Sequence, residues 1–114
     1  MKQSNDYLDK INHINDEINY LITKSKEFTH DDFIKDETLK RAFVRSLEII
    51  GEAVKIIPKQ VCEQYRQIAW KKITGMRDKL IHHYFGVDYD LIWAVIENLI
   101  PKLKETIKLI LNEE

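Results

Sequence analysis

Cysteine is almost missing from this 114-residue chain, where Cys62 stands alone. One cysteine excludes a disulfide framework within the chain and a cysteine-based zinc cluster, and it suits a reducing cytosol. Glycine and proline are scarce as well, with three Gly and two Pro. That is poor material for a turn-rich β-sandwich and good material for long helices. No apolar run approaches the roughly 20 residues needed to cross a bilayer. The opening Met1-Lys2-Gln3-Ser4-Asn5-Asp6-Tyr7 is polar and lacks the apolar core of a signal peptide. The expectation is a cytoplasmic protein with no membrane partner. An excess of charge of either sign is missing too. The formal net charge is −1, which argues against a strongly basic surface that binds nucleic acid tightly and without specificity. Nucleic-acid contact then has to come from a local patch. One candidate lies between Lys55 and His83, where seven Lys or Arg (Lys55, Lys59, Arg66, Lys71, Lys72, Arg77, Lys79) face two acids, Glu63 and Asp78. Taken as a charge run alone, it reads as a solvated helix face.

What the chain does have is apolar periodicity. Hydrophobic residues make up 44% and charged residues 32%, the balance expected of amphipathic helices around one core. The length fits a single domain, residues 1–114. Tyr7, Ile11, Ile14, Ile18 and Leu21 form one helical stripe, predicting a helix from about Asn5 to Lys26. Thr29-His30-Asp31-Asp32 reads as a break and a new start, with a hydroxyl to cap free amides and acids in the first turn. Leu39, Phe43, Leu47, Ile50, Val54 and Ile57 predict a second long helix from about Glu37, ended by Pro58. A short helical piece is expected over Lys59 to Tyr65. A third long helix is expected over Ile68 to Tyr84, with Ile73, Met76 and Leu80 inward and Gly86 as its left-handed stop. Asp88 or Asp90 caps the last helix, whose stripe is Ile92, Ile96, Leu99, Leu103, Ile107 and Ile110, with a kink at Pro101. Four long helices with short connections predict an all-α, up-down antiparallel four-helix bundle with an additional short helix. Trp70 and Trp93 read as core or interface residues rather than base-stacking platforms, and Trp93 and Ile100 read as an apolar surplus available for self-association.

The chemistry is concentrated in Gly75-Met76-Arg77-Asp78-Lys79-Leu80-Ile81-His82-His83-Tyr84-Phe85-Gly86. Arg77 and Tyr84 are nearly two turns apart and share a face, whereas His82 is about 140° around an ideal helix from Arg77. Arg77 and His82 converge only if the arginine side chain bends round or the helix distorts near its end. Histidine titrates near neutral pH and can pass a proton during catalysis. Arginine is always charged, and its planar fork matches phosphate oxygens. Together they are the minimum for cleaving RNA without a metal: the ribose 2′-hydroxyl attacks the adjacent phosphorus, histidine assists proton transfer, and arginine stabilises the developing charge. A nearby tyrosine suits substrate positioning or base stacking. On spacing alone the plainer account is preferred. A histidine near a helix C-terminus is favourable through the dipole, and Arg77 has Asp78 beside it as a partner. Glu48 and Glu52 share a helix face, and Gly51 between them permits another helix to come close. One of them, Glu48 for preference, is placed to hydrogen-bond and orient Arg77. The plainer account of the pair is a surface ion pair with Lys55 or Arg45.

The segment resembles the Arg-x-x-x-x-His signature of HEPN-domain ribonucleases, and specifically its HepT-type form, Arg-x-x-x-x-His-x-Tyr, here Arg77, His82 and Tyr84. The likeness extends to Arg45-Ser46-Leu47-Glu48-Ile49-Ile50-Gly51-Glu52-Ala53, to the run from Trp70 to Asp88, and to Tyr7-Leu8 and the Thr29 to Asp36 connector. No position of the short motif is missing. The resemblance implies a HEPN-like bundle and a metal-independent endoribonuclease with no cofactor, the toxin of a toxin–antitoxin pair. Arg77 and His82 would be its catalytic residues. It implies a homodimer with the two motif helices facing each other across a cleft. It also implies an MNT-type nucleotidyltransferase partner that silences the toxin by transferring AMP to Tyr84. Asp78 is a candidate to support Arg77 in this scheme, and His83 is auxiliary at best. The alternative is a HEPN-like binding or regulatory partner of a nucleotidyltransferase with no catalysis of its own.

Overall fold

The computed structural model describes residues 6–82 and 86–113. Seven helices follow one another: α1 Asp6–Ser25, α2 His30–Lys35, α3 Glu37–Ile56, α4 Lys59–Gln64, α5 Trp70–His82, α6 Tyr89–Asn98 and α7 Ile100–Glu113. No strand occurs among the described residues. The fold is all-α, a helical bundle of the expected class. The α1 stripe from Tyr7 to Leu21 and the α3 stripe from Leu39 to Val54, continued by Ile57, are buried throughout. These two helices pack along each other, α5 lies on the other side of α3, and α7 lies on the other side of α1.

Local chemistry sets the boundaries. The Thr29 hydroxyl accepts from the Asp32 amide at 3.1 Å, and the Asp32 carboxylate accepts from the Thr29 amide at 3.2 Å. This reciprocal cap starts α2. Asp36 caps α3 through the Leu39 amide at 2.9 Å, and Asp88, rather than Asp90, caps α6 through the Leu91 amide at 3.1 Å. Asp90 instead meets the His30 ring at 2.7 Å. The short α2 acts as a peg between α3 and α6. Its Phe33 is fully buried, stacked on Phe43 at 5.3 Å and tilted against Trp93 at 5.2 Å.

Three expectations need correction. The last helix is two helices, α6 and α7, parted at Leu99. Pro101 has no amide to continue the ladder and its ring opposes the Glu97 carbonyl, so the ladder is interrupted there, while Leu99 keeps right-handed helical dihedrals and its amide still bonds to the Val95 carbonyl at 2.9 Å. The stripe runs through Ile100, four residues after Ile96 and 1% exposed, rather than through Leu99, which is only partly buried. Gly86 is no left-handed stop, because no described glycine has a positive φ. Trp93 and Ile100 lie in the chain's own core, so neither offers surface for self-association.

Candidate functional site

The site is built where α3 and α5 come closest. A Cβ placed on Gly51 would lie 2.2 Å from the Arg77 Cβ and 2.7 Å from its Cγ. Only glycine permits that approach. It seats the root of the Arg77 side chain on the α3 backbone and leaves the guanidinium to reach along α3. Glu52, the next residue, receives Arg77 Nη2 at 3.4 Å. Asp78, the neighbour on α5, receives Arg77 Nη1 at 3.1 Å on Oδ1. Lys55, one turn beyond Glu52, donates to the same Asp78 oxygen at 2.8 Å. Four charged groups therefore alternate in a row, Glu52, Arg77, Asp78 and Lys55, and their formal charges cancel.

The electrostatic consequences follow from that row. The Asp78 carboxylate is held below the usual range, first by the hydrogen bond from Lys55 and then by that from Arg77. The Arg77 guanidinium is raised further above its already high value, chiefly by the hydrogen bond to Asp78. Arg77 is thus charged at every accessible pH, with its side chain only 21% exposed. Its Nε is buried with no hydrogen-bond partner among the described residues. The arginine has an orientation fixed by two carboxylates and a donor still unspent. A phosphate oxygen that displaced Asp78 Oδ1 would meet Arg77 and Lys55 together.

Glu48 lies one turn before Glu52, but its carboxylate meets Arg45 at 3.4 Å. Of the two α3 acids, Glu52 contacts Arg77. The sequence offers Glu48 and Glu52 alike with a preference for Glu48, and the contact falls to Glu52; the bond from Lys55 to Asp78 is the member of the cluster that the sequence did not foretell. Its signal was the three-residue spacing of Glu52 and Lys55 on α3. His82 is the last residue of α5, and its side chain lies outside the described residues, as do His83 and Tyr84. Trp70 and Trp93 are buried. Trp70 donates its indole N–H to the carbonyls of Tyr65 at 3.0 Å and Cys62 at 3.1 Å. Burial raises the Cys62 thiol above its ordinary value, which leaves it a poor nucleophile near neutral pH. No described helix is long and apolar enough to cross a membrane.

With this geometry in place, the sequence as a whole matches a known family. The profile of the HepT-like ribonucleases covers residues 6–110. A candidate RNase of Caldanaerobacter subterraneus subsp. tengcongensis is 52% identical over 114 residues, spanning 100% of this chain and 99% of the relative. A candidate RNase of Methanocaldococcus jannaschii is 45% identical over 105 residues, or 92% and 84% of the two chains. A protein named probable ribonuclease HepT, from Thermococcus cleftensis, is 41% identical over 105 residues, or 91% and 93%. No solved structure matches significantly. The chain belongs to the HepT-like ribonuclease family.

Proposed function

We propose that this chain is an endoribonuclease toxin whose chemistry needs no metal, with Arg77 and His82 as its catalytic residues. The observation that carries the reading is the fixed Arg77: a guanidinium anchored at Gly51, aimed by Glu52 and Asp78, in a chain of the HepT-like ribonuclease family. In the reaction the ribose 2′-oxygen attacks phosphorus and the bond from phosphorus to the 5′-oxygen breaks. The proton of the 2′-hydroxyl passes to a base and another proton goes to the leaving oxygen. The products are a 2′,3′-cyclic phosphate and a 5′-hydroxyl. His82 serves as general base or acid, and Arg77 stabilises the charge gathering on the phosphoryl oxygens. Tyr84 is the site at which a cognate MNT-type nucleotidyltransferase transfers AMP and silences the toxin. The working unit is a homodimer. An apolar groove of about 560 Å³ between α5 and α6, bordered by Met76, Leu80, Leu91 and Val95, supports it, since Leu91 is 54% exposed there.

One observation favours the alternative, a regulatory partner of a nucleotidyltransferase without catalysis. Arg77 is charge-balanced by its own neighbours, as a structural arginine would be. Intact mass and RNA cleavage decide between the two, measured on protein made with and without the nucleotidyltransferase. The toxin reading expects whole AMP units added at Tyr84 and cleavage by the unmodified form only. Unmodified protein that leaves RNA intact yet stays bound to the nucleotidyltransferase would support the partner.

A further inference from the structure

The surface between the end of α3, α4 and the first turns of α5 holds an open depression of about 1050 Å³. Lys55, Lys59, Arg66 and Lys71 border it, against one acid, Glu63. All four cations are exposed. Among the described residues, Lys59, Arg66 and Lys71 form no ion pair. The basic stretch that reads in the sequence as a solvated helix face is therefore gathered around a concavity. The wall is preformed: Trp70, at the start of α5, is 9% exposed, and its one N–H is shared between two carbonyls at the end of α4.

The depression is continuous with the Arg77 cluster by two routes. Lys55 belongs to both, since it borders the depression and donates to the Asp78 oxygen that Arg77 also holds. On α5, Lys71 and Thr74 border the depression, and Asp78 follows on the same helical face at the next turn. We infer that this groove is a track for the RNA backbone. Lys59, Arg66 and Lys71 pair with phosphates flanking the cleaved one, and Lys55 joins the track to Arg77. The inference rests on the ribonuclease reading and adds a substrate path to it. Unpaired cations along a concave wall are the footprint of phosphate binding. A protein partner is disfavoured because lysine is depleted at protein–protein interfaces, and three of the four cations bordering this depression are Lys55, Lys59 and Lys71.

The test uses the full chain carrying His82→Ala, so that RNA stays intact, and a labelled single-stranded RNA as probe. Binding is measured across a salt series. Adding Lys59→Gln, Arg66→Gln and Lys71→Gln together is expected to make the dependence of log affinity on log salt shallower by roughly 2, about 0.7 for each lost contact to a single strand. Affinity at moderate salt falls at least about tenfold. A control with Lys26→Gln, Lys102→Gln and Lys108→Gln removes the same charge elsewhere and is expected to keep the slope, with thermal melts confirming that both variants fold. A groove variant that matches the control in slope and affinity overturns the track, while the ribonuclease reading stands if wild-type protein cleaves RNA. A groove variant that binds RNA normally but no longer binds the nucleotidyltransferase also overturns it, assigning the surface to a protein. A chain that neither binds nor cleaves RNA removes both readings.

Discussion

At the scale of single residues, Arg77 is defined by what surrounds it. Its fork is shared between Glu52 and Asp78, and Asp78 is shared in turn with Lys55. Geometry rather than charge alone is therefore at stake, and Arg77→Lys should behave like Arg77→Ala: both are expected to lower the cleavage rate by about 10²–10³-fold, the cost of losing one aligned charge-stabilising donor. Single-turnover cleavage measures it. Asp78 carries a pH signature. Its lowered value means the pairing contributes to stability above the ordinary carboxylate range and is lost as pH falls through the lowered value. Urea midpoints of wild type and Asp78→Asn should differ by a constant amount from about pH 8 to about pH 5, and the gap should close below about pH 4. The sequence shows Arg77, His82 and Tyr84 as a motif, because motif spacing is a one-dimensional property. It does not distinguish Glu48 from Glu52. Both are on the α3 face beside Gly51, and only the depth at which Arg77 crosses α3 decides which carboxylate it meets.

Among the elements, the contact of α3 with α5 carries the site. Gly51→Ala forces a methyl into the Arg77 Cβ, 2.2 Å away, which is no flexible tip that can swing aside. The two helices must part, with an expected loss of about 1–3 kcal/mol in stability. Since Arg77 moves with α5, activity should fall more than the stability change accounts for; denaturant titration beside cleavage assays on the folded variant separates the two effects. The close approach was readable from the glycine between two acids on an otherwise regular stripe. The break between α6 and α7 was only half readable. Pro101 announces a disturbance, but whether Leu99 or Ile100 faces the core is decided by packing against the other helices. The missing left-handed Gly86 has a similar cause: a glycine permits that conformation without requiring it.

For the whole molecule, one continuous core runs from α1 through α7, and its α2 peg ties α3 to α6. Phe33→Ala empties the centre of an aromatic cluster and is expected to cost about 3–5 kcal/mol, read as a lowered denaturant midpoint. The helical class and the α1 and α3 stripes were legible because a buried stripe repeats at the helical period. Which side of the bundle stays open was not legible, since that depends on how far α5 lies from α6. The open side and the basic groove flank the same helix, α5. The most direct test is cleavage of RNA by purified, unmodified protein in the presence of a metal chelator, beside Arg77→Ala and His82→Ala. Cleavage by wild type alone, leaving 2′,3′-cyclic phosphate ends, is the predicted result. Intact RNA with wild type, or equal cleavage by either variant, would contradict the account.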